Sequence, residues 1–510
     1  MNSRSKDYDK IIVHRDRNKV GCQIYLYDDV LMFYPILPSI EKVLTISEKS
    51  LELNPRTHLR EVRYRKRELF NKVNRVPGTV GVTYQGFLRK IINACITSGC
   101  TFNVQDLREA KSSGLFPKPR LDLMTGFRYS QKDLITEALT KDMSGLIGAP
   151  TRYGKTTLMV NTLRAFPELK TVVAAPGVDL CNQLYDDITG DRGIKNRDIK
   201  LICSGSKHKA PSKEDNGITI CSVDSLFKCD GKHVELLLAD EPHEFVTDKR
   251  LEMLSEFTRA RRYGYGATLT GRFDNRDTII EGVFGPVLAE RTYLDAVKEG
   301  AICPINVLFL DVEIEPRHYR DRDAAYKGLL FRNKIMATIA KRICHEVVPD
   351  DYQTLLFIKE EKQADLYLDI IGHEATVAMA KKMTKTQREE ITEKMRNGTI
   401  KRCLCTDIYV QGVTFPDSKV LINLEGGGNN TSAIQKPGRL AQIRPNKKCG
   451  ILIDFNFMFP GIEADYKGEA WTALVADSRA REKAYTEKGY GIYHASTIDK
   501  LKTLFDSLTK

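Results

Sequence analysis

Two short motifs constrain the fold of this chain more than anything else in its 510 residues. The first, Ala149-Pro150-Thr151-Arg152-Tyr153-Gly154-Lys155-Thr156, follows the apolar pair Leu146-Ile147 and leads into a helical pattern with Leu158, Met159 and Leu163. The second, Asp240-Glu241-Pro242-His243, closes the apolar run 234–239. A short strand that turns on a glycine into a helix, followed by a buried strand ending in carboxylates, reads as part of a doubly wound parallel α/β sheet.

The residue types in these motifs suit phosphate chemistry. Gly154 lets the backbone turn tightly, so that successive N–H groups and the positive end of the next helix meet an anion. Lys155 would reach the β and γ phosphates of a nucleoside triphosphate, and the Thr156 hydroxyl would sit on Mg²⁺. Asp240 would help hold that ion and Glu241 would activate a water. The G-x-x-x-x-G-K-[ST] pattern asks for glycine at 149, whereas this chain has Ala149, with Gly148 one place early. Taken alone, the loop also fits a chance match, and Asp240-Glu241 also fits an ordinary solvated strand end. Order and spacing join them into one expectation, a site that hydrolyses nucleoside triphosphate.

Organisation along the chain supports this. From 126 to 302, strand-like runs at 171–175, 199–203, 218–223, 234–239 and 263–267 alternate with amphipathic stretches. The alternation restarts at 305–310 and continues through 354–358, 403–406, 420–424 and 450–455, with a helix over 385–395. Two similar lobes joined near Pro304 is the economical reading. The expected domains are an N-terminal accessory unit over 1–120, a first lobe over 121–302, a second over 303–460 and a helical tail over 461–510.

A hydrophobic content of 42% is enough for more than one core, and a formal charge of +12 favours a polyanionic partner, although many soluble proteins are basic. The charge is densest over 56–75, where Arg63, Arg65, Lys66, Arg67 and Lys72 are interleaved with Tyr64 and Phe70. That composition suits backbone neutralisation with base stacking, and equally a solvated charged face. The 12 cysteines form no C-x-x-C pair and read as buried free thiols. No apolar run reaches membrane-spanning length and the first residues lack a signal-peptide core, so a cytoplasm is expected, that of the host if a phage encodes the chain.

With these motifs in order, the chain resembles superfamily 2 DNA helicases of the DExH kind, and in layout the phage UvsW-type helicases. The resemblance covers 125–460. It implies two tandem RecA-like doubly wound parallel-sheet lobes, a small N-terminal α+β domain and a short C-terminal helical region. Gln131, in Phe127-Arg128-Tyr129-Ser130-Gln131, would contact adenine, and Ala149, Pro150, Thr151, Arg152, Tyr153, Gly154, Lys155, Thr156 and Thr157 would form the ATP loop. The family commonly has a small residue other than glycine at the loop's start. Pro176 with Gln183, Ser222 with Asp224, Lys359 and Thr406 with Asp407 resemble motifs that touch nucleic acid. Gly266-Ala267-Thr268, His243 and Gln435 would couple hydrolysis to movement. Gln435-Lys436-Pro437-Gly438-Arg439 resembles the motif in which Arg439 would neutralise transition-state charge. Catalysis would thus rest on Lys155, Asp240, Glu241 and Arg439, with ATP and Mg²⁺ as cofactors and Thr156 and Asp240 on the metal.

The implied activity is ATP-dependent DNA unwinding with 3′ to 5′ polarity, acting in replication, recombination or repair on branched intermediates, with RNA not excluded as partner. Arg63, Arg65 and Arg67 are the expected phosphate contacts of the N-terminal unit. Two departures stand out. Gln442 occupies the place of the family's second arginine, so that either Arg444 two residues on substitutes through a shifted helix, or Arg439 suffices, or hydrolysis is impaired, and Thr414 replaces a common acidic residue. Gln442 keeps open a nucleotide-regulated binding protein with weak turnover, and a double-strand translocase without strand separation is a further alternative.

Overall fold

Both expected alternations become parallel sheets. The computed structural model describes residues 21–27, 30–53, 60–75, 78–108, 116–267, 269, 275–315, 317–374, 376–378, 383–406, 418–428, 436–445, 447–459, 461 and 469–509. The chain forms two compact units, the first Met1–Ser50, Arg63–Ala149 and Gly154–Arg291, the second Leu51–Val62, Pro150–Tyr153 and Thr292–Lys510.

The N-terminal residues form strands β1 (Cys22–Leu26), β2 (Leu31–Tyr34), β3 (Thr45–Leu53), β4 (Arg60–Glu68), β5 (Phe70–Arg75), β6 (Gly78–Thr83) and β7 (Phe102–Asp106). Five of them form a sheet in the order β5-β6-β2-β1-β7, while β3 and β4 form a separate two-stranded ribbon. The basic stretch of the sequence is therefore mostly strand. On β4, Arg63 and Arg65 lie on one face and Tyr64 and Lys66 on the other, because side chains alternate along a strand. All four are exposed.

Seven further strands make the first lobe: β8 (Gly145–Gly148), β9 (Thr171–Ala175), β10 (Ile199–Ile202), β11 (Ile218–Ser222), β12 (Leu236–Asp240), β13 (Arg261–Gly266) and β14 (Val287–Glu290). Their order is β10-β11-β9-β12-β13-β8-β14, and every pair is parallel. Central strands such as β9, β11 and β12 are buried along their whole length, which is why they read as continuous apolar runs. The N-terminal residues have their own sheet and share a core with this lobe: Ile24, Phe33, Phe87 and Ile91 pack in one cluster with Leu146, Val172, Phe245 and Phe284. An ion pair of 2.5 Å between Lys90 and Glu281 lies over the same contact.

The second unit repeats the pattern with β15 (Ile305–Glu313), β16 (Gln353–Phe357), β17 (Thr376–Ala378), β18 (Arg402–Cys405), β19 (Ser418–Asn423), β20 (Gly450–Met458) and β21 (Gly491–Ala495). The order is β17-β18-β16-β19-β20-β15-β21, again all parallel. The chain is thus α/β with two tandem RecA-like lobes.

The final residues do more than form a helix and a short tail. Between the helices Thr472–Lys488 and Ile498–Thr509, β21 pairs with β15 and becomes the edge of the second sheet. Trp471, Leu474, Leu501 and Phe505 lie in that lobe's core. Arg481 is fully buried against Asp454: its guanidinium donates to both carboxylate oxygens at 2.8 and 2.9 Å and to the Gly427 carbonyl at 2.7 Å. Tyr485 and Asn423 donate to the same carboxylate at 2.9 and 3.1 Å. All 12 cysteines are free, and all but Cys100 and Cys229 are buried.

A buried carboxylate that loses its cation keeps the desolvation penalty without the attraction. Arg481→Met is therefore expected to destabilise the second lobe by about 3–5 kcal/mol. Denaturant unfolding followed by hydrogen exchange in β15 and β20 measures it; a loss under about 1 kcal/mol would show that Asp454 does not need this partner.

Candidate nucleotide site and nucleic-acid interface

The predicted residues of the first lobe gather at the carboxyl ends of β8, β9, β11, β12 and β13, the edge where open parallel sheets bind ligands. β8 ends at Gly148, and the Ala149 N–H donates to the Gly266 carbonyl at 3.0 Å, so alanine at 149 sits comfortably beside β13. Two residues of the loop have left-handed backbones, Arg152 at φ 71° and Gly154 at φ 99°. Gly154 is the N-cap of the helix Lys155–Ala165, which places Thr156 and Thr157 in its first turn. Glycine is required at 154 for two reasons. Its φ is strained for any other residue, and a Cβ there would lie 2.5 Å from Gln131 Nε2. Gln131 is itself buried, its Oε1 accepting the Arg128 N–H at 2.9 Å.

The strand β12 ends on Asp240, and Glu241 turns the chain with φ 52° and ψ 66°, a left-handed conformation that costs a non-glycine residue on the order of 1–3 kcal/mol. The Glu241 N–H donates to the Tyr265 carbonyl at 2.9 Å, which helps hold that turn. Lys155 Nζ donates to Glu241 Oε1 and lies 3.8 Å from Asp240 Oδ1. His243 is buried beside them, its Nδ1 3.5 Å from Glu241 Oε2 and its Nε2 3.6 Å from Glu244 Oε1. Burial raises the Asp240 carboxyl to about 6, with Lys155 opposing the shift and the Glu241 charge adding to it. Burial works against the Lys155 ammonium, but the Glu241 and Asp240 carboxylates outweigh it and its pKa is raised.

Asp240 Oδ1 and Glu241 Oε2 are buried oxygens without a hydrogen-bond partner among the described residues. Such atoms are costly unless something else satisfies them. A hydrated Mg²⁺ at Asp240 and a water at Glu241 fit those two positions. Among the described residues no group of three or more His, Cys, Asp or Glu could hold a metal alone. A Mg²⁺ here would take the rest of its shell from triphosphate and water.

β13 fits this floor by alternation. Tyr263 and Tyr265 point to one side, where the Tyr265 hydroxyl meets Thr162 Oγ1 of the loop's helix at 2.6 Å. Gly264 faces the other side, where a Cβ would lie 2.8 Å from Leu146 and 2.9 Å from Pro242. The Asp240-Glu241 turn can lie close against the sheet because that side of β13 is bare. Ala267 follows β13 directly; Thr268 and Gln435, with Asp407 and Thr414, lie outside the described residues.

The expected nucleic-acid contacts divide. Pro176 follows β9 and is half-buried, while Ser222 ends β11 with its hydroxyl donating to Ser225 Oγ at 2.9 Å. Thr406 follows β18 and Lys359 follows β16. Lys359 is held by two partners, its N–H by Gln363 Oε1 at 2.8 Å and its Nζ by Glu425 at 2.8 Å. Glu425, which also accepts from Lys436, was not anticipated; its signal was an acidic residue closing an apolar run just before the glycine turn. Arg67 differs from its neighbours: its guanidinium pairs with Asp248 at 2.9 Å and with Glu48 at 3.4 Å, which ties β4 to the lobe.

Arg439 lies in a short 3₁₀ helix, Pro437–Ala441. That helix stops before Gln442, which is extended at φ −68° and ψ 127°, so a shifted helix does not carry Arg444 into the second arginine's place. In extended backbone, residues two apart share a face, and Arg444 stands to Gln442 in that relation.

Residues 124–271 match the family described as type III restriction enzyme, res subunit, and residues 338–444 match the helicase conserved C-terminal domain. The DNA 3'-5' translocase XPB2 of Sulfurisphaera tokodaii is 24% identical over 368 residues, 62% of this chain and 79% of that protein. The ATP-dependent type ISP restriction-modification enzyme LlaBIII, solved bound to DNA, shares the fold over 84% of this chain and 38% of its own, with TM-score 0.54 and 13% identity. Bacteriophage T4 UvsW aligns over 94% of this chain and 99% of its own, with TM-score 0.39 and 16% identity.

Two parallel RecA-like lobes with a lysine-bearing loop and a paired-carboxylate strand end define a nucleotide-driven motor ATPase. With both family matches in their proper lobes, the chain resembles the superfamily 2 helicases. It is an ATP-hydrolysing enzyme of that class and binds nucleic acid. Among the described residues no helix is long and apolar enough to cross a membrane.

Gly154→Ala is expected to weaken Mg²⁺·ATP binding at least tenfold, because it meets both the strained φ and Gln131. Adding Gln131→Ala removes the clash and leaves the φ, so it should recover part of the loss. Titration with a fluorescent ATP analogue reads both, and wild-type affinity in the single variant would refute this account of the loop.

Proposed function

We propose that this chain is an ATP-dependent DNA helicase that couples hydrolysis to translocation and strand separation. The observation that carries the reading is the largely buried group of Lys155, Asp240 and Glu241, with one oxygen on each carboxylate that has no hydrogen bond among the described residues, at the carboxyl end of a parallel sheet. Phosphoryl transfer needs a phosphate cradle, a metal carboxylate and a group that orients water. In this reading the 149–157 loop and Lys155 bind the triphosphate, Asp240 and Thr156 hold Mg²⁺, and Glu241 takes a proton from the attacking water. Bound Mg²⁺ would supply charge neutralisation at the phosphates. Arg439 is the proposed transition-state cation from the second lobe, with Arg444 as the next candidate, and His243 and Thr268 are proposed to carry the signal of hydrolysis. Pro176, Ser222 and Thr406, with Arg63 and Arg65, are the proposed nucleic-acid contacts.

A second reading, a double-strand translocase that moves without separating strands, is favoured by the similarity to XPB2, a DNA 3'-5' translocase. Both readings take 3′ to 5′ as the polarity to test, and forked and four-way DNA belong among the substrates.

DNA should stimulate phosphate release from the pure protein. Lys155→Ala should abolish that release, and Glu241→Gln should lower turnover by about 10²–10⁴-fold while sparing ATP binding. Strand-displacement and triplex-displacement assays separate the two readings, since activity confined to triplex displacement selects the translocase. Absence of DNA-stimulated release would sink both and favour a nucleotide-regulated binding protein. In the N-terminal unit, Arg63→Ala with Arg65→Ala should weaken DNA binding and flatten its salt dependence, with basal ATPase unchanged.

A further inference from the structure

The root of the basic ribbon stands on the two segments that leave the nucleotide site. Glu48 of β3, with a side chain only 13% exposed, accepts from Arg276 and lies 3.4 Å from Arg67 of β4. Arg67 also pairs with Asp248 at 2.9 Å, and Arg276 Nη1 lies 3.9 Å from that carboxylate. Arg276 donates to the Val246 carbonyl at 3.1 Å, and Asn275 Nδ2 donates to the Ser47 carbonyl at 2.8 Å. Two arginines and two carboxylates thus form a balanced cluster that ties β3 and β4 to two places. One is Val246 and Asp248, which follow the Asp240-Glu241 strand end through the turn Pro242–Phe245. The other is Asn275 and Arg276, which follow β13 and Ala267.

We propose that Glu48, Arg67, Asp248 and Arg276 are positioning residues that couple the nucleotide site to the exposed part of β4. The proposal rests on reading β4 as a nucleic-acid contact. Lys155 donates to Glu241 and lies 3.8 Å from Asp240, and a triphosphate competes for that lysine. Any resulting shift of Glu241 passes along Pro242–Phe245 to Val246 and Asp248, where the chain holds Arg276 and Arg67 directly. Charge-assisted hydrogen bonds are directional as well as strong, so the ribbon follows the turn. Arg63, Tyr64, Arg65 and Lys66 then present themselves to a nucleic-acid backbone differently in the two nucleotide states. An ion cluster with a purely structural role would stabilise the ribbon without distinguishing those states.

The test uses the full chain and a fluorescein-labelled DNA duplex. Its Kd is measured by anisotropy with and without a non-hydrolysable ATP analogue and Mg²⁺. The analogue should change the wild-type Kd by about fivefold or more. Glu48→Gln should bring that ratio close to one and leave the nucleotide-free Kd within about twofold of wild type. Asp248→Asn, at a carboxylate 70% exposed, gives the same readout with little risk to folding. Coupling is reciprocal, so the effect of DNA on analogue affinity should collapse in parallel. A wild-type ratio retained in both variants, or no ratio in the wild type, would overturn the proposal. So would an equal loss of affinity in both states, the signature of a structural role. Arg63→Ala with Arg65→Ala separates the underlying reading: if that pair leaves the duplex Kd unchanged, β4 is not the contact. If the pair weakens binding while Glu48→Gln keeps the ratio, only the coupling fails.

Discussion

Lys155, Asp240 and Glu241 are three charges removed from most of their water, and the lysine is what lets the two carboxylates stand side by side. Asp240 and Glu241 are neighbours at the end of one strand and repel one another, while Lys155 comes from the start of a helix two strands away. The arrangement holds only because β12, β13 and β8 are parallel and in register, so that their carboxyl ends lie side by side. Much of the first unit can be read as support for that proximity. The left-handed Glu241 turns a carboxylate toward the lysine, the Tyr265 carbonyl receives its N–H, and the bare side of β13 leaves room for Pro242.

The same logic explains where tolerance lies. Ala149 departs from the usual phosphate-loop pattern without consequence, because its N–H is used by β13 and its backbone needs no left-handed turn. Gly154 has no such freedom. In the second lobe Asp454 holds an equivalent place for stability: it is wholly buried and receives Arg481, Tyr485 and Asn423, thereby fastening the helix Thr472–Lys488 to the sheet and to the glycine turn at Gly427.

Legibility in the sequence followed burial. Strands covered on both faces, such as β9, β11, β12, β16 and β18, announced themselves as apolar runs, and their ends agree with the reading to within a residue or two. The edge strands β14 and β21 escaped because one is exposed at both ends and the other is mostly half-exposed, so neither carries a continuous apolar signal. Gly154, Lys155, Asp240 and Glu241 stand out in the sequence because phosphate chemistry suits those residue types at those local spacings, while His243 stands out through the family resemblance. Glu425 and Glu48 do not, since an isolated glutamate acquires meaning only from cations that distant parts of the chain bring to it.

Arg67 marks the boundary between the two kinds of information. In sequence it is one more cation in a basic run, indistinguishable from Arg63 and Arg65. In the fold it is half-buried and committed to Asp248 and Glu48, while its neighbours remain exposed. Composition and local pattern determined the class of fold, the phosphate loop and the carboxylate pair, because strand burial and backbone turns are encoded over a few residues. Which charges meet across long separations, that the N-terminal sheet shares the first lobe's core, and that β21 completes the second sheet were decided by tertiary packing. Those contacts join residues that have no signal in common until the chain has folded.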